Sequence, residues 1–337
     1  MAAAYRDAPD RILSRSPAET HDAMTNRRQL LTGSLAAGAA LGLGGSACAA
    51  NASNGSRRAG DEAPTPAVRR RRVPRTGELV PCIGLGTSRT LDVDPDSDID
   101  ALVSVIDLFL RSGGSVIDSS PMYGNAEAVV GRVLERLGRD DVFFATKVWT
   151  DEGKEAGIGQ MDRSVELMGA QRIDLMQIHN LVDYATHLDT LRPWREDGRV
   201  RYIGATEMRD FDEVVRIIEE DGLDFVQIPY SLAEREVEKR VLPAALEHGV
   251  GVLVMRPFQR GGLFGRVKDK PLPEWASEID CASWAQFFLK WILGHPAVTC
   301  PIPATSKPHH LVDNMAAGLG RLPDEALRKR MAEEIGL

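Results

Sequence analysis

Residues 173–178, Ile173-Asp174-Leu175-Met176-Gln177-Ile178, run directly into His179-Asn180, and residues 200–205, Val200-Arg201-Tyr202-Ile203-Gly204-Ala205, run into Thr206-Glu207. Each is an apolar, β-rich run that stops on polar residues, and about twenty residues separate the two, enough for a helical crossover. The same unit recurs on both sides. Further runs stand at Ile83 to Gly86, Ser115 to Asp118, Val142 to Thr146, Phe225 to Ile228, Gly251 to Val254 and Val298 to Ile302. Between them lie segments of helical spacing, such as Ile99, Leu102, Val103, Ile106 and Leu110, or Val214, Val215 and Ile218. Eight strands alternating with helices predict an α/β protein of the (β/α)8 (TIM) barrel class. A doubly wound sheet is the alternative, but no G-x-G-x-x-G follows the first strand, where that fold places its dinucleotide turn. A short hairpin precedes the barrel, Val68 to Val73 and Glu78 to Cys82, turning through Pro74, Thr76 and Gly77.

Composition narrows the classes further. The chain has 337 residues with 43% hydrophobic content, as in a soluble globular protein. Its net charge is −8, but residues 1–75 carry 12 Lys and Arg against 6 Asp and Glu, which leaves 29 against 43, or −14, for residues 76–337. An acidic body repels phosphate backbones, so nucleic-acid binding is not expected, and the Arg69 to Arg72 run is too isolated to reverse that. Cys48, Cys82, Cys281 and Cys300 form no C-x-x-C pair and no disulfide framework. The seven histidines include no His-x-His and no H-E-x-x-H, so no metal site is expected. No G-x-S-x-G marks a nucleophilic hydrolase.

The N-terminus reads as an export signal. Asn26-Arg27-Arg28-Gln29-Leu30-Leu31 precedes an apolar stretch that ends Ala47-Cys48-Ala49, a small-x-small cleavage pattern. This resembles a twin-arginine (Tat) signal. Gly33, Gly38, Gly42, Gly44 and Gly45 lower the helix propensity of the stretch below that of a membrane anchor, so stable insertion after cleavage is not expected. The expected organisation is a signal over residues 1–49, with Met24 as an alternative start, a flexible linker over 50–67 and the barrel over 68–337. Export through the Tat machinery to the periplasm follows, or cytoplasmic residence if the arginine pair is incidental.

In a (β/α)8 barrel the active site forms at the carboxyl ends of the strands. There the sequence offers Asp118, Ser119 and Tyr123 after the second run, Lys147 and Trp149 after the third, His179 and Asn180 after the fourth, Thr206 and Glu207 after the fifth, and Gln227 on the sixth. Each alone has a bland explanation as a cap, a solvated charge or a core residue. Together they have a chemical logic: a Lys held by a carboxylate favours tyrosinate and lowers the phenol pKa, which makes Tyr123 a usable proton donor.

The motifs Ile83-Gly84-Leu85-Gly86-Thr87, Ile117-Asp118-Ser119-Ser120-Pro121-Met122-Tyr123-Gly124, Thr146-Lys147, Asp174-Leu175-Met176-Gln177-Ile178-His179, Gly198-Arg199-Val200-Arg201-Tyr202-Ile203-Gly204 and Pro301-Ile302-Pro303-Ala304-Thr305-Ser306 occur in order. In this the chain resembles the aldo-keto reductases over roughly residues 72–318. The resemblance implies a catalytic tetrad of Asp118, Tyr123, Lys147 and His179. It also implies reduction of an aldehyde or ketone to an alcohol by hydride from NADP, with NAD as the second choice. Cofactor contacts are implied at Gly86, Thr87, Asn180, Thr206, Glu207 and Gln227. Met255 stands where relatives carry a stacking aromatic, followed by Pro257, Phe258 and Gly261 along the pyrophosphate. Thr305, Ser306, Lys307, His310, Asp313 and Asn314 fall at the adenosine end, with Ala304 and His310 where many relatives carry Lys and Arg. Trp149, with Phe258 and the loop around Tyr184, is expected to line the substrate pocket. A small carbonyl or alcohol is the expected partner. The alternative is a non-enzymatic subunit that holds cofactor as a regulatory partner.

Overall fold

A computed structural model describes residues 68–337, so the expected signal (1–49) and linker (50–67) lie outside the described residues. The chain opens with an antiparallel hairpin, β1 (Arg70–Arg72) and β2 (Leu79–Pro81). Eight parallel strands follow: β3 (Leu85–Gly86), β4 (Val116–Asp118), β5 (Phe143–Val148), β6 (Ile173–Ile178), β7 (Val200–Thr206), β8 (Phe225–Pro229), β9 (Gly251–Met255) and β10 (Val298–Pro301). They pair in sequence order. The ring closes between its first and last members, where Gly84 N–H donates to the Pro301 carbonyl (3.0 Å), Gly86 N–H to that of Pro303 (3.2 Å), and Gly86 bridges Ala304. Glycine is required at this seam because a Cβ on Gly86 would stand 2.7 Å from the Ile302 carbonyl oxygen.

Helices alternate with the strands: α1 (Asp100–Arg111), α2 (Ala126–Leu137), α3 (Lys154–Met168), α4 (Tyr184–Glu196), α5 (Phe211–Glu220), α6 (Val241–Glu247), the short α7 (Gly262–Arg266), α8 (Trp284–Leu293), α9 (Pro308–Ala316) and α10 (Glu325–Glu334). Their apolar stripes pack on the outward residues of the strands; α1, for example, buries Leu102, Val105, Ile106, Phe109 and Leu110. Among the described residues no helix is long and apolar enough to cross a membrane. Inward residues of the strands form a second core of Val116, Phe143, Ala145, Leu175, Tyr202, Phe225, Leu253, Cys300 and Ile302, and Val73 and Val80 of the hairpin segment join it.

The hairpin gives the Arg69 to Arg72 run its role. Arg71 donates to the carbonyls of Leu293, His295 and Val298, fastening β1 to the end of α8 and the start of β10. Arg70 and Arg72 donate to Leu79 and Gly77 carbonyls across the hairpin. The run is a structural staple.

Strand alternation determines what reaches the site. Side chains two residues apart share a face, so the inward position after Val116 is Asp118, after Ala145 is Lys147, after Leu175 is Gln177, after Phe225 is Gln227 and after Leu253 is Met255. The top layer of the barrel interior is therefore polar, above two apolar layers.

Candidate active site

Lys147, fully buried on β5, places its Nζ 2.6 Å from Asp118 Oδ1 and 2.7 Å from the Ser119 carbonyl. The other carboxylate oxygen of Asp118 accepts from Gln177 Nε2 and from Gln227 Nε2, both at 2.9 Å. Gln227 also donates to Gln177 Oε1 at 3.2 Å. A buried ion pair survives only when its remaining lone pairs and protons are met, and the two glutamines meet those of Asp118. Burial opposes the ammonium, but the charge of Asp118 and the nearness of Tyr123 outweigh it and hold Lys147 above its ordinary pKa.

Tyr123 sits over this pair, its ring centroid 5.2 Å from Lys147 Nζ. It rides on a turn in which Tyr123 N–H donates to the Ser120 carbonyl (3.0 Å) and Asn125 N–H to Asp92 Oδ1 (3.0 Å). Gly124 joins them at φ +60°, with the Asp92 carboxylate where a side chain would stand. His179 meets the Tyr123 ring edge-on, centroids 5.9 Å apart at 90°. Its Nδ1 lies 3.1 Å from Ser120 Oγ. Burial, with the charge of Lys147, pushes the imidazole pKa down to about 3, so His179 is neutral at physiological pH. A Ser120 hydroxyl that donates to Nδ1 leaves the ring proton on Nε2.

One expectation is corrected here. Burial raises the Tyr123 phenol above its ordinary pKa; Lys147 pulls it back without reversing the sign, and Arg256 helps. The phenol thus keeps its proton at neutral pH, which is the state a proton donor needs.

Above the tetrad opens a cavity of about 930 Å³. Asp118, Tyr123 and His179 reach its wall, together with most of the expected cofactor contacts: Gly86, Thr87, Asn180, Gln227, Met255, Pro257, Phe258, Gly261, Thr305, His310, Asp313 and Asn314. Asn180, at φ +52°, leaves its Oδ1 buried without a partner. Such an acceptor fits the N–H of a carboxamide. At the other end, Thr305 Oγ1 accepts from Lys307 N–H (3.1 Å) and Pro308 opens α9, so the helix start faces the adenosine side of the cavity. The residues present fit a nicotinamide dinucleotide.

Six of the sequence-derived residues stand off this wall. Thr206 is buried behind the wall, where its Oγ1 accepts from Asn180 N–H at 2.9 Å. Glu207 turns away, its Oε1 accepting from Met208, Arg209 and Asp210 N–H at 2.8, 2.8 and 3.3 Å. Ser306 and Lys307 are exposed beside the cavity and are not part of its wall. Trp149 is 41% exposed and also stands off the wall, its backbone tied to Gln160. Tyr184 likewise lies elsewhere, donating to Asp221. Asp313 is on the wall, but its carboxylate accepts from Ser283 Oγ (2.8 Å) and Gln286 Nε2 (2.7 Å), a tie between α8 and α9. The Phe258 to Gly265 segment is a turn leading into α7, anchored by the Phe258, Phe264 and Phe288 rings.

Gln177, Ser120 and Arg256 were missed. The first is legible in hindsight from strand parity, two residues beyond Leu175. Ser120 and Arg256 sit in loops, and no period announces them.

Comparison with known proteins agrees with this geometry. The aldo/keto reductase family model matches residues 82–331. An NADH-specific methylglyoxal reductase of Escherichia coli is 28% identical over 218 residues, 57% of this chain and 65% of that protein, so the chain spans just under two thirds of it. A probable aldo-keto reductase of Glycine max is 27% identical over 289 residues, 74% of this chain and 82% of that one. Among solved structures, an aldo/keto reductase from Klebsiella pneumoniae in complex with NADP and acetate superposes with a TM-score of 0.64 at 26% identity, covering 76% of this chain and 93% of its own. With the four tetrad side chains gathered at the carboxyl end of an eight-stranded parallel barrel, and the family model matched across nearly all of that barrel, the chain belongs to the aldo/keto reductase family.

Proposed function

We propose that this chain is a nicotinamide-dependent reductase of aldehydes or ketones, using NADP(H) in preference to NAD(H). The observation that carries the reading is the Lys147–Asp118 pair, 2.6 Å apart, lying under Tyr123 at the floor of a cavity of about 930 Å³. The bound cofactor supplies a hydride to the carbonyl carbon. Tyr123 gives its phenolic proton to the carbonyl oxygen, while Lys147, fixed by Asp118, stabilises the phenolate left behind. Neutral His179, its Nδ1 held by Ser120, orients the carbonyl oxygen from the other side. Asn180 Oδ1 would accept the carboxamide N–H and so help to hold the nicotinamide in place. A preference for NADP is supported by the Klebsiella structure, solved with NADP, and by the α9 start; the Escherichia coli relative, named NADH-specific, supports the converse. Loss of NADPH absorbance on adding aldehydes to the purified protein, with slower loss for NADH, is the expected result. No turnover of any carbonyl with either cofactor, despite tight cofactor binding, would favour the regulatory-subunit alternative.

We also propose export by the Tat route to the periplasm, supported by Arg27-Arg28 ahead of the apolar stretch ending Ala47-Cys48-Ala49. A Tat route carries folded proteins, so cofactor made in the cytosol would be loaded before export. Cell fractionation tests it. The native chain should reach the periplasm and a version with Arg27→Lys and Arg28→Lys should not; cytosolic location of both refutes export.

A further inference from the structure

Six ionisable side chains that carry charge at neutral pH line the cavity, and they divide by sign. Asp118, Asp92 and Asp313 are each already met by donors, as described above. The side chains of Arg89, Arg256 and Arg260 make no hydrogen bond and no ion pair among the described residues, whereas Arg195, Arg201, Arg216 and Arg328 each lie on a carboxylate. All three cavity arginines also hold left-handed backbone, at φ +65°, +54° and +55°. That conformation is uncommon for a residue with a side chain, and it persists where the surroundings impose it, often at ligand sites. Three unpaired guanidiniums thus share the mouth of the active site of an acidic body, and like charges on a low-dielectric wall concentrate their field there.

Arg256 is the one of the three placed for the substrate. It follows Met255 directly at the end of β9, is partly buried, and lines the cavity wall that Tyr123 also lines, where its charge acts to lower the phenol pKa. Tyr123 is the residue that must touch the carbonyl oxygen, so a cation bearing on it is positioned to hold another part of the same small molecule. Trp149, the expected apolar contact, stands away from the wall. We propose that the carbonyl substrate carries a carboxylate and that Arg256 receives it, setting the distance between the anion and the reacting carbonyl. This rests on the reductase reading given above. A planar carboxylate matches the guanidinium fork in two parallel hydrogen bonds. The phosphates of the cofactor are the competing anion, and the experiment separates the two.

The test compares 4-carboxybenzaldehyde with methyl 4-formylbenzoate, nearly equal in shape and different by one charge, under saturating NADPH. Wild type should favour the acid by at least about tenfold in kcat/KM, chiefly through KM. The preference should shrink as salt rises toward about 0.5 M and screens the charge. In R256Q the ratio should fall to within about threefold of unity, and R256K should retain part of it. Both substrates are read on one preparation, so partial misfolding cancels from the ratio; if R256Q is inactive, the salt dependence of wild type decides. Three results overturn the proposal while leaving the reductase reading intact: no preference in wild type, a preference indifferent to salt, or a full preference kept in R256Q with weaker NADPH binding, which would make Arg256 a cofactor contact. Failure to reduce these and every other carbonyl tried, with NADPH bound, overturns the reductase reading and this proposal with it.

Discussion

At the scale of single residues the site is a buried charge pair with a phenol above it. Tyr123→Phe removes one oxygen and leaves the ring between Lys147 and His179. The expected outcome is a fold and a cofactor affinity close to wild type with kcat lower by at least about 10²-fold, the scale of a lost general acid, measured by steady-state kinetics beside fluorescence titration of NADPH. Near-normal turnover would end the assignment of Tyr123. Lys147→Met acts differently, because it strands the Asp118 charge in a place with almost no solvent contact. Breaking a buried pair on one side costs about 3–5 kcal/mol, so this variant should lose both rate and several degrees of Tm in a thermal melt. A variant as stable as wild type would show that the pair contributes nothing net to the fold. The four tetrad residues were legible in the sequence because each closes a recognisable motif. The Gln177 and Gln227 amides that satisfy Asp118 were read only in part: Gln227 as a cofactor contact, Gln177 as one letter of a strand.

Elements explain where the reading stopped short. All eight strand runs form strands, but β5, β7, β8 and β9 continue past their expected ends to Val148, Thr206, Pro229 and Met255. A polar residue ends an apolar run in sequence. Inside a barrel it does not end the strand if its partner lies on the next one, and Lys147 with Asp118 is that case. The consequence is functional: Lys147, Thr206 and Met255 stand on strands, held by ladder hydrogen bonds, and their positions are more rigid than loop residues would be. At the opposite end of the barrel the four consecutive arginines had no role legible in the sequence. That role needs β1 in place, where Arg71 finds the carbonyls of Leu293, His295 and Val298. Arg71→Met keeps the aliphatic stem and withdraws the donors. We expect it to lower stability by about 1–3 kcal/mol in urea unfolding, with kcat little changed because the site is at the other end. Equal midpoints for the two proteins would show the contacts to be worth nothing in solution.

For the molecule as a whole, one buried and one half-buried histidine link stability to acidity. His179 is pushed down to about 3 by burial and Lys147, and His295 to about 4 by burial and by Arg328. Both are neutral in the folded chain over a range in which a solvent-exposed histidine, with a pKa near 6.5, is protonated. Between about pH 6.5 and 4 the unfolded state therefore binds protons that the folded state refuses, and the stability of the fold must rise with pH across that window. The contribution is whole above about pH 6.5 and is lost as pH falls through it toward the folded values. The Tm should thus be flat from about pH 7 to 8 and fall progressively below about 6.5. His295 lies beside the Arg328, Tyr230 and Glu238 cluster, remote from the tetrad, so it isolates the effect from catalysis. His295→Gln removes the titrating group, and its Tm should decline less steeply than wild type between pH 6.5 and 4.5 even if it starts lower at pH 7. Parallel declines in the two proteins would place the acid sensitivity in other groups. That outcome would point to carboxylates such as Glu238, which burial pushes up but hydrogen bonds from Tyr230, Arg328 and Arg235 hold below the ordinary range, and whose stabilisation is lost as pH falls.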